Sequence, residues 1–189
     1  MSSVQPPEDP AYDDRIYRSP MALVSGVLLL ALIVWLCGDA VVRGHGNAPW
    51  YGVASALLAV PLVVAYTLRP AVFANEDRLR VRNPFRTVDL PWATVDAVRA
   101  GYSSEVLADG EKYQLWSIPV SLRARKRANR KGDGEKAGAD RSVSELQELA
   151  ERCARRQGAQ GTVTVRWSYE IIAPAVAGAI LLVVLLATR

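Results

Sequence analysis

Three stretches of this 189-residue chain contain no Asp, Glu, Lys or Arg: Ser19 to Gly38, Gly44 to Leu68, and Ile171 to Thr188. A bilayer core of roughly 30 Å is crossed by about 20 apolar residues in helical form, with about 17 as the working minimum. Each stretch is therefore long enough to span a membrane, the last by the smallest margin. The segregation explains how 50% hydrophobic residues coexist with 22% charged ones. The apolar residues are concentrated in spans, and the charge lies between and beside them.

Residues 1–20 carry Pro6, Pro7, Pro10 and Pro20 with four acids and two arginines, a composition that buries too little apolar surface to order itself. They are expected to form a disordered tail. The run from Met21 to Val42 has an apolar core longer than the 7 to 15 residues of a secretory signal, so it reads as a retained span. The short connection through Gly44, Gly46 and Asn47 turns residues 21–68 into a transmembrane helical hairpin. Trp50, Tyr51 and Tyr66 sit where amphipathic rings prefer the headgroup level. Pro61 is expected to kink the second helix without breaking it. Residues 171–188 form the third transmembrane helix.

The basic residues orient the spans. Arg69, Arg78, Arg80, Arg82 and Arg86 follow the second span, whereas the first loop offers Arg43 alone. By the positive-inside tendency, residues 69–170 are cytoplasmic, and so is the N-terminus. The expected location is the cytoplasmic membrane, multi-pass.

The soluble region opens with strands. Ala71 to Asn75 precedes a turn at Asp77, and Arg78 to Asn83 alternates arginine with Leu79 and Val81, the period of two of a half-buried strand. After Asn83-Pro84, Thr87 to Pro91 turns Val88 and Leu90 inward. Further strands are expected over Val95 to Ala100, Glu105 to Ala108 and Lys112 to Ile118, the last pair joined by Asp109-Gly110, a strong hairpin signal. Residues 121–141 lose apolar periodicity and hold eight basic residues against three acids. Ser142 with Glu145 reads as a capping box for a helix whose Val143, Leu146, Leu149, Ala150 and Cys153 share one face. Thr162 to Trp167 alternates again and runs into the third span.

Short antiparallel strands covered by one C-terminal amphipathic helix are the outline of a pleckstrin-homology (PH) domain. Arg69-Pro70, Asp77 with Leu79-Arg80-Val81-Arg82-Asn83, Arg86, and the Leu90-Pro91-Trp92 corner leading to Val95 and Val98 sharpen it. The chain resembles the PH domain-containing membrane proteins of actinobacteria, the low molecular weight protein antigen six group. The resemblance covers Arg69 to Ile118 and the preceding pair of spans. It implies a PH-like cytoplasmic β domain and a membrane address, and no reaction. The basic loop, the late strand and the third span depart from the pattern.

Two surfaces carry candidate sites. Arg123, Arg125, Lys126, Arg127, Arg130 and Lys131 place six cations within nine residues between membrane-tethered segments, and polybasic segments beside a membrane gain about 1 kcal/mol per residue from anionic lipid. Arg78, Arg80 and Arg82 form a weaker phosphate stripe on one strand, with Asp89 and the pair Glu76 and Asp77 expected to neutralise it across the hairpin.

No catalytic, metal-binding or cofactor-binding residues are expected. His45 is alone in its loop, no nucleophile has a base at a credible spacing, and Gly132 and Gly134 do not make a P-loop. Cys37 and Cys153 read as reduced packing residues. The basic loop lacks interleaved aromatics, so nucleic acid is not an expected partner. The spans hold no central charge of the kind that marks an ion path. Ala173, Ala177, Gly178 and Ala179 point to close helix packing, within the chain or between copies. The leading expectation is a non-enzymatic scaffold or adaptor that docks an unknown protein partner at the inner membrane face. The alternative is an anionic-lipid sensor acting through residues 123–131.

Overall fold

A computed structural model describes residues 14–100, 103–118 and 138–188. In chain order, a short strand β1 (Arg15–Tyr17) leads into α1 (Pro20–Arg43), and α2 (Ala48–Val63) returns to end in a wide π-type turn, Val64–Leu68. Six strands follow: β2 (Ala71–Ala74), β3 (Arg78–Arg82), β4 (Arg86–Pro91), β5 (Val95–Ala100), β6 (Ser104–Ala108) and β7 (Glu111–Gln114). The chain then forms α3 (Gly138–Cys153), β8 (Thr164–Trp167) and α4 (Tyr169–Ala187).

Helix α1, the α2 segment through Leu68, and α4 are each long and apolar enough to cross a membrane. Ser19 begins α1 by accepting a hydrogen bond from the Ala22 N–H, with Pro20 at the first helical position, where its missing donor costs nothing. Pro61 leaves α2 intact. Three residues beyond it the helix widens, the Arg69 N–H reaching the Val64 carbonyl at 2.9 Å, and this turn delivers the chain into β2.

The helices meet at glycines. A Cβ on Gly52 would lie 2.9 Å from the Cys37 carbonyl of α1, and one on Gly178 would lie 2.5 Å from the Leu58 nitrogen of α2. The small residues of the third span thus divide: Gly178 is buried against α2, while Ala173 and Ala177 are exposed. Tyr51 fastens the far end of the same pair, donating to the Leu185 carbonyl at 2.8 Å.

Two antiparallel sheets enclose the soluble core, one ordered β1-β2-β3-β4-β8 and the other β5-β6-β7. Val72, Leu79, Val81, Val88 and Leu90 of the first face Val98, Val106 and Tyr113 of the second, with Leu115 and Ile118 beyond β7. Trp92 fills the corner between the sheets, fully buried, and its indole N–H donates to the Asn75 carbonyl at 2.7 Å. Asp109 and Gly110 take φ of 50° and 77°, the left-handed pair that a two-residue hairpin turn requires. Val143, Leu146, Leu149 and Cys153 of α3 close the core, as their helical spacing predicts. Each large aliphatic side chain buried in this way stabilises the fold by about 1.5–3 kcal/mol.

Two expectations are corrected. Part of the predicted tail is ordered: Arg15, Ile16 and Tyr17 pair with Ala74, Phe73 and Val72, because the open edge of β2 supplies hydrogen-bond partners that local composition does not reveal. Residues 1–13 lie outside the described residues. Helix α3 begins at Gly138, so Ser142 lies within it and is not its cap. Glu145 instead accepts a hydrogen bond from the Tyr17 hydroxyl at 3.0 Å and pairs with Arg141 at 3.4 Å.

Candidate functional site: an arginine face beside the apolar helices

The strand ends nearest the spans are set by covalent connection. Tyr17 precedes α1 by two residues, Ala71 follows the π-type turn by two, and Trp167 precedes α4 by one. Pairing aligns Tyr17 with Val72, Ala71 with Arg82, and Arg86 with Trp167. One end of the five-stranded sheet therefore abuts all three spans.

Period-two alternation turns Leu79 and Val81 into the core and Arg78, Arg80 and Arg82 onto the opposite face. Residues directly opposite across antiparallel strands share a face. One row on this outer face runs Phe73, Arg80, Asp89, Thr164, and the row nearer the spans runs Ala71, Arg82, Thr87, Arg166. The stripe read from β3 thus gains Arg166, contributed by a strand more than eighty residues later. Arg69 reaches the same region from the chain entering β2. It donates to the Asn83 carbonyl, to the Thr87 hydroxyl at 3.3 Å and to the Ser168 hydroxyl, and pairs with Glu170 at 3.1 Å.

Together Arg69, Arg80, Arg82, Thr87, Arg166, Ser168 and Glu170 line a cavity of about 370 Å³ beside Trp167. Arg78, at the far end of the stripe, is not part of it. Asp89 partly neutralises the arginines, as expected, pairing with Arg80 at 2.5 Å and with Arg166 at 3.6 Å. Glu76 and Asp77 do not. They pair with Arg156 beyond α3, at 2.6 and 3.8 Å, because the turn after β2 carries them to the end of the sheet away from the spans. Arg82 lies over the Phe73 ring, 5.0 Å from its centroid, and Arg18 lies 5.9 Å from the same ring.

Aromatic side chains ring this end of the domain. Tyr66 packs edge-on against Phe85 and tilts over Trp116, with centroids 5.5 and 5.7 Å apart. Trp167 and Tyr169 are largely exposed. Arginine heads and amphipathic rings at one level are the composition of a membrane interface. The six basic residues from Arg123 to Lys131 lie outside the described residues. Cys153 is buried in the core and Cys37 half-buried on α1.

Sequence reasoning missed Arg166 and Arg69 as members of this face. The alternation over Thr162 to Trp167 was the available signal, but it does not name the neighbouring strand.

No curated protein and no solved structure matches the chain significantly. The family model described as bacterial PH domain matches residues 69–141. The match contains β2 to β7 and ends inside α3, leaving β1 and β8 outside it. Between two N-terminal apolar helices and one at the C-terminal end, this chain carries a β-sheet domain that matches the bacterial PH domain over residues 69–141.

Proposed function

We propose that the chain is a membrane-anchored scaffold whose PH domain, held at the inner face of the cytoplasmic membrane, docks a protein partner. The supporting observation is the direct junction of all three spans with one sheet through one or two residues each. A domain on a long linker samples many orientations, whereas this one presents a fixed surface, which lowers the orientational cost of docking. The inner-face reading is supported by Arg18, Arg69, Arg82, Arg86 and Arg166 at the domain end of the spans, against Arg43 at the α1–α2 turn. PH domains are generally non-catalytic, and the reading requires no reaction.

The test is photo-crosslinking of the full chain in its native membrane from Arg78 and Lys112, both exposed on the domain. A discrete protein adduct from the label at one of these positions, lost when the other is changed to glutamate (Lys112→Glu with the label at 78, Arg78→Glu with the label at 112), supports docking. Adducts to lipid alone refute it.

One observation favours a second reading, anionic-lipid contact by residues 123–131. Trp116 packs on Tyr66 in the last turn before β2, and Ile118 follows two residues later, so the chain enters the basic segment from the membrane side of the domain. A spin label at Ala128 should contact the lipid phase in anionic bilayers and lose that contact in zwitterionic ones. Equal behaviour in both ends this reading.

A further inference from the structure

We propose that the free edge of β8 binds an extended acidic segment of a partner protein, which adds to the five-stranded sheet as one further strand. The proposal rests on the scaffold reading above and names the chemistry of its partner.

The register of β8 fixes which of its backbone groups are free. The Ser168 N–H donates to the Phe85 carbonyl at 2.9 Å, continuing the pairing of Arg86 with Trp167 and of Thr87 with Arg166. Opposed residues of an antiparallel pair alternate between exchanging hydrogen bonds and exchanging none. Thr164 and Arg166 therefore bond to β4, and the N–H and C=O groups of Val165 and Trp167 point away from it. No strand lies beyond β8 among the described residues. The other edge of the sheet offers less. Counted from the Asn75 N–H on the Arg78 carbonyl at 3.2 Å, the same alternation commits Arg15 and Tyr17 to β2 and turns Ile16 alone outward.

Sheet edges are commonly blunted by proline, bulges or charge. Thr164–Trp167 has no proline, a single charge at Arg166, and all four residues exposed. Val88 is fully buried, yet Val165 opposite it is 41% exposed and Trp167 55%, so the inner face of the sheet continues past the core as an apolar step. On the outer face Arg166 stands 3.6 Å from Asp89 with its side chain 72% exposed, and Asp89 is shared with Arg80 at 2.5 Å. A strand laid along β8 shares these faces. It fits best with an acid opposite Arg166 and apolar residues opposite Val165 and Trp167. Backbone pairing of this kind supplies affinity, and the alternating side chains supply specificity.

A second copy of the chain does not fit the same edge. β8 runs into α4 through Ser168 alone, at the end of the sheet where all three spans join. Antiparallel pairing of two β8 edges would send their α4 helices in opposite directions, which a single bilayer does not allow.

The experiment is titration of the full chain, in neutral detergent, into a fluorescent short peptide in which valine alternates with glutamate, with a valine and lysine peptide as the control. The glutamate peptide should bind in preference, and Arg166→Glu should shift the preference toward lysine, by about fivefold for one cross-strand charge pair. Methylating the valine amides, which face β8 in this register, should abolish binding, and methylating the glutamate amides should leave it. Val165→Pro removes an N–H that β4 does not use, a position where an edge strand accepts proline, and should abolish binding while keeping the melting temperature. On the unaltered chain, hydrogen exchange at Val165 and Trp167 should be fast alone and slow with peptide, and at Thr164 and Arg166 slow throughout.

Equal binding of the two methylated peptides overturns edge pairing, and equal binding of the glutamate and lysine peptides overturns the acidic partner. Slow exchange at Val165 and Trp167 before peptide is added means that the chain itself covers the edge, and overturns the proposal. A disulfide between copies of a Val165→Cys, Cys37→Ser variant in native membranes overturns it in favour of a second copy. The two readings fail separately. Lipid adducts alone from positions 78 and 112 refute the scaffold reading, whereas a protein adduct there with no peptide binding at β8 overturns this proposal alone.

Discussion

Replacing Gly178 by Ala tests how the third span is held. The added Cβ would stand 2.5 Å from the Leu58 nitrogen, 2.8 Å from the Leu57 carbonyl carbon and 2.9 Å from the Ala54 carbonyl oxygen. The first distance falls about 0.9 Å short of the 3.4 Å at which ordinary contact begins. All three atoms are backbone, so no rotamer change relieves the clash and α4 must move away from α2. A gap of 0.5–1 Å forfeits about a quarter to a half of each dispersion contact it opens, and overpacking of this kind costs about 1–3 kcal/mol. The Tyr51 bond to the Leu185 carbonyl lies at the other end of the same contact and should lengthen with it. The assay is unfolding of the purified full chain in mixed micelles, followed by tryptophan fluorescence. Gly38→Ala is the matched control, because a Cβ there meets nothing within 4 Å. Gly178→Ala should lower stability by about 1–3 kcal/mol, while Gly38→Ala stays within about 0.5 kcal/mol of the parent. Equal stability of the two variants would refute the close-contact argument.

Leu146→Ala removes a fully buried side chain from the face of α3 that closes the core, and denaturant unfolding should show a loss of about 2–5 kcal/mol. A loss below about 1 kcal/mol would mean that α3 does not close the core. Tyr17 gives a pH prediction: burial, then its hydrogen bond to Glu145 and that carboxylate's charge, raise its phenol above the usual 10.0. A raised folded-state pKa means that the docking of β1 contributes fully below about pH 10 and is lost as pH climbs through the folded value. Tyr17→Phe should cost about 1 kcal/mol at neutral pH and abolish that part of the alkaline decline. Tyr113, also raised by burial and by Glu111, titrates in both proteins, so the difference between them isolates Tyr17; parallel profiles would count against the Tyr17–Glu145 contact.

Most of the architecture was legible because its signals are local. Alternation placed Leu79 and Val81 inward, Asp109-Gly110 fixed a turn by its φ requirement, and a helical repeat of apolar residues defined the buried face of α3. What escaped depends on neighbours distant in sequence. Arg15-Ile16-Tyr17 is too short to read as a strand alone, and it becomes one through hydrogen bonds to β2. Ser142 and Glu145 satisfied a capping pattern that the helix overran toward Gly138, freeing Glu145 for Tyr17. The arginine face was half visible: Arg80 and Arg82 could be read from β3, but their meeting with Arg69 and Arg166 depends on β8 pairing with β4. Acidic neutralisation was right for Asp89, directly opposite Arg80, and wrong for Glu76 and Asp77, whose partner Arg156 lies about eighty residues away.

The five-stranded sheet ends in β1 on one side and β8 on the other, and each is continuous with a span. An exposed sheet edge is a template for pairing with another chain, and here both edge positions are held by segments continuous with the apolar helices α1 and α4. A fragment cut at residues 69 and 141 would lose both strands together with most of α3. It would bare the β2 and β4 edges and the core that Leu146 and Leu149 cover. The apolar helices therefore act as stoppers for the sheet, and the domain's resistance to pairing at the β2 and β4 edges depends on the segments that lead into them.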